Sequence, residues 1–311
     1  MKDSPRISVV VPAYNAADFL VPTLKAVIAQ TYQQWEMLVV DDGSSDRTSE
    51  LVQQMSAADS RIRLIAQSNQ GVSAARNTGV REAQSKLIAF LDADDLWLPD
   101  KLAAHVAFME AHPKASASFA RVELINFDGT STQRFTNNFV KQVAAYEVLY
   151  ANPTITTSNL VIRTAIFEEL SGFDETMRHD EDVDFLFRLT YRQDFALMGI
   201  DRVLLQYRMR ASGLSSNLAK MEAGWIALIE KARQQAPELI EQHYSAAHSA
   251  KLQYLARTAL RLNLPATVGL PFINRAIAYR WKSLYRWPKM LVIALLIYIK
   301  LVTFNKIKLS V

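Results

Sequence analysis

Along the first hundred residues, short unbroken apolar runs alternate with stretches of helical periodicity. The runs Ile7–Val11, Glu36–Val40, Ile62–Ala66 and Leu87–Leu91 predict strands. The segments between and after them predict helices over Ala16–Gln30, Asp46–Met55, Val72–Ala83 and Pro99–Ala111, with Pro99 suited to a first helical turn. Strands that read as continuous apolar runs belong to parallel sheets covered on both faces. Strand and helix in alternation predict a doubly wound α/β sheet. From about 114 to 210 the pattern is mixed, with strands expected at Ala115–Ala120, Leu160–Ile162, Phe195–Met198 and Val203–Tyr207 and an amphipathic helix at Asp182–Tyr191. From about 217 onward it reads as helical, with Pro265 and Pro271 as breaks. No Gly/Ser-rich linker falls near 112, so residues 1–112 and 113–215 are expected as two halves of one domain, and 216–311 as a helical C-terminal region.

Composition narrows the function classes. Half of the 311 residues are apolar and 21% are charged, which excludes a mostly disordered chain. The absence of cysteine excludes disulfides, thiolate zinc sites, iron–sulfur clusters and a cysteine nucleophile, and fits a reducing cytosol. The net charge of +4 conceals an asymmetry. No Asp or Glu follows Glu241, and residues 242–311 hold eleven Lys or Arg, which leaves the preceding body at about −7. A basic tail suggests an anionic partner.

The ends of the chain differ. Ile7–Val11 is too short, and too quickly followed by Pro12, for a signal peptide. Leu291–Ile299 is an uncharged apolar stretch, well short of the about 20 residues a spanning helix needs. It reads as an interfacial or re-entrant helix, with a buried or oligomer-forming helix and a true span as the competing readings. The cations Arg275, Arg280, Lys282 and Arg286 interleave with Tyr279, Trp281, Tyr285 and Trp287. Such a pattern can stack on bases, but beside an apolar run it makes an interfacial belt. The expectation is an anionic membrane surface rather than nucleic acid, with a cytoplasmic enzyme peripheral on the inner face of the membrane. A homodimer closed by the same helix is the alternative.

Ligands of open α/β sheets bind outside the carboxyl ends of the strands. The four segments there are Pro12-Ala13-Tyr14-Asn15, Asp41-Asp42-Gly43-Ser44, Asn69-Gln70-Gly71 with Ala75-Arg76-Asn77, and Asp92-Ala93-Asp94-Asp95. Crowded carboxylates such as Asp92, Asp94 and Asp95 repel one another, and a hard divalent cation relieves that cost. The same run also reads as a polar loop whose Asp95 caps the next turn. Asp42 suits an acceptor for a pyrimidine imide or a plain Asp-Gly turn. Arg76 suits a phosphate or base contact, or a solvated helix charge. No Gly-x-Gly-x-x-Gly follows the first strand and no Gly-Lys-Ser/Thr occurs, so the common dinucleotide and P-loop fingerprints are missing. Some ninety residues on, Asp182 shares a helical face with Phe185, Leu186 and Leu189. That spacing turns its carboxylate inward as a candidate general base and leaves Asp180, Glu181 and Asp184 solvated. The plain alternative is a set of acids complementing the helix dipole.

Val9-Val10-Val11-Pro12-Ala13-Tyr14-Asn15, Asp41-Asp42-Gly43-Ser44, Asn69-x-Gly71…Ala75-Arg76-Asn77-x-Gly79, Asp92-x-Asp94-Asp95, Gly172-Phe173-Asp174-Glu175 and Glu181-Asp182 occur in one order. Over residues 6–210 this resembles the family 2 glycosyltransferases, which have the GT-A fold, a Rossmann-like, doubly wound mixed sheet. The resemblance implies an inverting transfer of a sugar from a nucleoside-diphosphate donor, with UDP-sugars commonest, to a glycan or lipid-linked hydroxyl. It implies Mn²⁺ or Mg²⁺ as cofactor. Pro12, Ala13, Tyr14 and Asn15 would line the nucleotide pocket, Asp42 would contact the base with Gly71 and Arg76 nearby, and Asp92 and Ala93 would face the ribose. Asp94 would ligate the metal, shared with Asp95, and Asp182 would be the base.

The chain departs from the family's processive polysaccharide synthases. Gln206–Ser215 carries no Trp where those enzymes have Gln/Arg-x-x-Arg-Trp, and their long membrane helices are missing. A single-addition enzyme is expected, with Arg208 and Arg210 either reaching the diphosphate or solvated. Two other functions compete. A sugar nucleotidyltransferase would need a Gly-rich basic loop in place of Pro12–Asn15. A non-enzymatic sugar-nucleotide scaffold would not need Asp94 or Asp182.

Overall fold

The structure, a computed structural model, describes residues 5–136, 142–209, 217–280 and 291–300. The chain forms two compact units, Met1–Ala145 with Asn152–Met209, and Tyr146–Ala151 with Arg210–Val311.

The first unit is built on a nine-stranded sheet. Strands β1 (Ile7–Ala13), β2 (Trp35–Asp41), β3 (Ile62–Ala66) and β4 (Leu87–Phe90) alternate with α1 (Ala17–Ile28), α2 (Thr48–Ala58) and α3 (Val72–Arg81). After β5 (Leu96–Trp97) and α4 (Lys101–Ala111) come β6 (Ala117–Ile125) and β7 (Ser131–Phe135). The short helix α5 (Ala145–Tyr150), most of which belongs to the second unit, precedes β8 (Val161–Arg163), α6 (Thr164–Glu169), α7 (Glu181–Tyr191) and β9 (Leu197–Arg208). The order across the sheet is β3-β2-β1-β4-β8-β6-β9-β5, with β7 beside β6. β1 to β4 run parallel, β8 is antiparallel to both β4 and β6, and β9 is parallel to β6.

The apolar runs become strands because both of their faces are covered. One core layer sets Val9 and Val11 against Leu20, Leu24 and Val27 of α1 and Leu102 and Val106 of α4. Around Phe90 of β4, Phe167 packs tilted and Phe173 edge-on, with ring centroids 5.5 and 5.3 Å away, and Phe185 of α7 lies 4.9 Å from Phe173. Two expected strands, Phe195–Met198 and Val203–Tyr207, are one strand, β9, whose exposed Asp201 and Arg202 interrupt the apolar run and shift the register with β6, which pairs Ala120 with Ile200 and Arg121 with Val203. Helix α4 begins after Pro99, whose carbonyl instead accepts the Thr31 N–H at 2.9 Å.

The second unit holds α8 (Leu218–Gln235), α9 (Pro237–Arg261) and α10 (Ala266–Arg280), and residues 291–300 are also helical. Pro271, expected as a break, lies inside α10. Burial of Phe272, Ile273 and Ala276 in a core with Leu252, Leu255 and Ala256 outweighs the helix bond it removes. Ile293, Ala294 and Ile297 join that core, while Leu291, Val292, Leu295, Leu296, Tyr298 and Ile299 are exposed. Among the described residues no helix is long and apolar enough to cross a membrane. Arg210–Ser215, Trp281, Lys282, Tyr285, Arg286, Trp287, Lys289, Lys306 and Lys308 lie outside the described residues.

Gly79 sets the distance between α3 and the sheet, because a Cβ there would lie 2.4 Å from Val10 Cγ1. Ala is the better helix former by about 0.5–1 kcal/mol, but overpacking a close-packed core costs about 1–3 kcal/mol. Gly79→Ala should therefore destabilise the protein by about 1–2 kcal/mol in denaturant unfolding. Adding Val10→Ala should cost less than the sum of the two single changes, since it removes the opposing methyl group. Strict additivity would show that the close approach is not what Gly79 serves.

Candidate active site

The chain leaves β1 towards β2 and β3 on one side, then returns to place β4 on the other. That reversal is a topological switch point, where open α/β sheets form their ligand crevice. The pairings Ala13 with Asp41 and Asp41 with Ala66 bring the ends of three strands level, so their loops meet.

Pro12 and Ala13 end β1 in register with Val40 and Asp41. Tyr14 is exposed. Asn15 adopts a left-handed backbone, φ 46°, which short amide side chains tolerate. Its Oδ1 accepts the Ser45 N–H at 2.8 Å, and its own N–H donates to Ser44 Oγ at 2.9 Å, tying the first loop to the second. Asp42 is buried, and its Oδ1 accepts from Gln67 Nε2 and the Gln70 N–H at 2.8 and 2.9 Å. Its Oδ2 accepts the Gly71 N–H at 2.8 Å. Asp42 thus holds the third loop in place. Gly71 sits at φ 100°, and a Cβ there would meet Arg178 Nη1 at 2.6 Å.

The acidic turn after β4 is held from several sides. Thr23 Oγ1 lies 2.9 Å from the Ala93 carbonyl and 3.0 Å from that of Asp95. Asp92 is half-buried and accepts from Arg76 Nη2 at 2.7 Å and Thr156 Oγ1 at 3.1 Å. Asp95, expected to share a metal, is buried with both oxygens engaged: Oδ2 accepts from Ser158 Oγ at 2.6 Å, and Oδ1 accepts the Arg208 N–H at 3.0 Å. Burial first, and then the charges of Asp94 and Asp92, push its carboxyl well above the usual range. Asp94 is half-buried. Among the described residues no three His, Cys, Asp or Glu side chains form a group able to hold a metal alone. Arg208 is neither solvated nor free to swing, because its guanidinium is buried and hydrogen-bonded.

The second acidic cluster lies at the start of α7. Arg76 of α3 is buried and reaches Asp92 with Nη2 and Glu181 with Nη1, at 2.7 and 2.9 Å. The two carboxylates hold the guanidinium charged, with its pKa raised despite burial. The expectation of solvated Glu181 and Asp184 is corrected, since both are buried. Glu181 neutralises Arg76, and Asp184 pairs with Arg188 Nε at 2.8 Å. Arg188 also donates to the Leu170 and Gly172 carbonyls at 2.6 and 2.8 Å, seating α7 on the Gly172–Glu175 turn. Asn77 ties that turn to α3, bonding both the N–H and the carbonyl of Phe173 at 2.9 and 2.8 Å. Asp182 is half-buried, with Asn152 Nδ2 donating to its Oδ2 at 2.6 Å and the Val183 N–H to its Oδ1 at 2.8 Å. Burial, then Glu181 and Asp180, push its carboxyl up to about 7, against the lowering influence of Arg76.

The fold thus joins Asp92, Arg76, Glu181 and Asp182 in one connected group, while Asp42 and Asn15 order the neighbouring loops. Asn152, Thr156 and Ser158 escaped the sequence reading. Thr156 and Ser158 fall in the run Thr154–Asn159, polar except for Ile155, just before the apolar β8, while Asn152 lies outside it and carried no such signal.

Residues 8–171 match the family described as Glycosyl transferase family 2. TuaG of Bacillus subtilis, assigned to teichuronic acid biosynthesis, is 32% identical over 216 residues, covering 68% of this chain and 82% of TuaG. The Escherichia coli UDP-Glc:α-D-GlcNAc-diphosphoundecaprenol β-1,3-glucosyltransferase WfgD is 30% identical, covering 69% of this chain and 81% of WfgD. Among solved structures, Staphylococcus aureus TarS 1–349 with UDP-GlcNAc superposes with a TM-score of 0.58 at 18% identity, over 88% of each chain. The Pyrobaculum calidifontis mannosyltransferase PcManGT, in complex with GDP-Man and Mn²⁺, gives 0.59 at 20% identity, over 97% of this chain and 88% of that one. With its GT-A fold, the chain belongs to glycosyl transferase family 2 and is a glycosyltransferase.

Proposed function

We propose that this enzyme moves a sugar from a UDP-sugar to a hydroxyl of a lipid-linked glycan by one inverting displacement, one sugar per encounter, in cell-surface polysaccharide synthesis. The observation that carries the reading is the placement of Asp182 beside the Asp92–Arg76–Glu181 ion-pair chain, with its carboxyl pushed up to about 7. A base works best when its pKa lies near the working pH. Asp182 accepts the proton of the acceptor hydroxyl as that oxygen attacks the face of the sugar opposite the diphosphate. Asn152 fixes the carboxylate's orientation through Oδ2. Pro12, Ala13, Tyr14, Asn15 and the Asp42–Gly71 loop receive the nucleoside. Asp92 and Ala93 face its ribose.

The donor set at the acidic turn fits a hard divalent cation. Asp92 and Asp94 are half-buried carboxylates two residues apart. Mg²⁺-type ions are commonly held by one or two carboxylates together with substrate phosphates. Asp94 is the assigned ligand, and Asp95 braces the turn. Bound Mn²⁺ or Mg²⁺ would neutralise charge on the departing diphosphate. The relatives support the chemistry in part: PcManGT is Mn²⁺-bound, and WfgD is named for a UDP-glucose donor and a diphosphoundecaprenol-linked acceptor.

An acceptor of that kind lies at a membrane surface. The exposed residues of the 291–300 helix and the eleven cations after Glu241 suit a peripheral position on an anionic inner leaflet. Confinement there raises the effective concentration of acceptor.

Four outcomes are expected. Asp182→Asn should lower kcat by about 10²-fold or more with donor affinity close to wild type. Wild-type turnover should rise with pH through about 7, because the protonated carboxyl below that value cannot accept a proton. Flat pH dependence together with a fully active Asp182→Asn would move the base elsewhere. Calorimetry of UDP binding should show enhancement by Mn²⁺ that Asp94→Ala removes, and enhancement that survives the substitution would refute the ligand assignment. The full chain should sediment with phosphatidylglycerol-containing vesicles, and Leu295→Glu with Ile299→Glu on the exposed helix face should abolish this. A wild type that ignores vesicles but loses half its solution mass on the same substitutions would establish the dimer reading.

A further inference from the structure

We infer that Arg208 is a positioning residue that locks the tip of the β6–β7 hairpin to the acidic turn, so that one side chain sets the shape of the turn bearing Asp94. At the end of β9, its Nε donates to the Asp94 carbonyl at 2.9 Å and its Nη1 to the Phe127 carbonyl at 2.7 Å. The two carbonyls come from loops more than thirty residues apart in sequence, yet both end on one planar fork. Arg208 is 8% exposed, so the bonds form with little competition from water. The guanidinium carbon stands 5.6 Å from the Phe19 ring centroid, and Phe19 meets Phe127 edge-on at 5.4 Å. Gly129 at the hairpin tip has a φ of 87°, which suits glycine.

The main chain contributes separately. The Arg208 N–H donates to Asp95 Oδ1 at 3.0 Å, and this bond survives any side-chain substitution except proline. β9 would thus stay attached to the acidic turn while the fork alone is removed. Lysine retains the charge but not the planar two-nitrogen geometry. Arg208→Lys therefore tests geometry apart from electrostatics. Loosening the turn would move the carbonyl of Asp94, and with it the carboxylate that the donor-site reading above makes the metal ligand; the inference rests on that reading only for this last consequence.

The test combines two measurements on the full chain. In hydrogen exchange without ligand, Arg208→Lys should speed exchange about tenfold or more in peptides covering 92–97 and 126–130, with peptides of β1 and β2 unchanged, the pattern of a local opening. In calorimetry with UDP and Mn²⁺ as probes, Arg208→Lys should lose about tenfold of the Mn²⁺-dependent affinity while affinity for UDP alone stays within about twofold. Unchanged exchange in both peptides overturns the inference. Faster exchange with Mn²⁺ enhancement intact overturns the link to the donor site. Faster exchange in a protein whose wild type shows no Mn²⁺ enhancement leaves the lock established and refutes the metal reading instead.

Discussion

The arrangement of the candidate site depends on one buried cation. Arg76 lies between Asp92, at the end of the fourth parallel strand, and Glu181, the first residue of α7. A guanidinium removed from water incurs a desolvation cost of several kcal/mol, which two charge-assisted hydrogen bonds of good geometry offset. Because neither carboxylate can leave without stranding the charge, the acidic turn and the start of α7 are held at the span of one arginine. The same side chain lies 5.4 Å from the Phe173 ring centroid, so the aromatic cluster under α7 shares in fixing it. Asp182 follows Glu181 directly, and its place in the site is set by the same pairing.

Crowding alone would have given these carboxylates one character; burial and partners separate them. Asp92 faces Arg76 at 2.7 Å. Asp95 is closed off beneath the turn, where burial disfavours its charge, and hydrogen bonds from Ser158 and the Arg208 N–H hold it. Asp182 is raised to about 7 by burial and acidic neighbours. Beneath the turn, Lys101 is fully buried, and desolvation lowers its pKa to about 7 against the opposing influence of Asp95. Its Nζ lies 3.3 Å from His105 Nε2 and 3.4 Å from Asn159 Oδ1, so the floor of the site is itself polar.

The parallel half of the sheet was legible because burial on both faces leaves a plain trace, unbroken apolar runs. β3 falls on Ile62–Ala66 as read. β5 has two residues and β7 is largely exposed, so neither carries that trace. β9 was split in two because Asp201 and Arg202 are exposed at its middle. The loops of the site were legible for a topological reason, since each directly follows a strand. Their internal bonding was not. Arg76 and Glu181 are 105 residues apart, and Asp95 and Arg208 are 113 apart, separations at which no local periodicity survives. Helical spacing alone singled out Asp182 as inward and left Glu181 and Asp184 solvated, whereas Asp182 is half-buried and the other two are buried, because their cations, Arg76 and Arg188, enter only when α7 packs.

The two halves of the sheet therefore divide the labour. The parallel strands β1 to β4 deliver loops whose backbone shape is set by short-range devices, among them the Asn15 clamp and the Asp42 bonds to Gln70 and Gly71. The later half contributes few loops of that kind and instead grips the acidic turn: Thr156 and Ser158 before β8, Arg208 at the end of β9, and Glu181 through Arg76. The turn draws on both halves, since Asp92 takes one partner from Arg76 of α3 and one from Thr156, and both oxygens of Asp95 are held from the later half. A change in the second half that leaves every residue of the first hundred untouched can still displace the carboxylates, so the shape of the acidic turn is not a property of the first hundred residues alone.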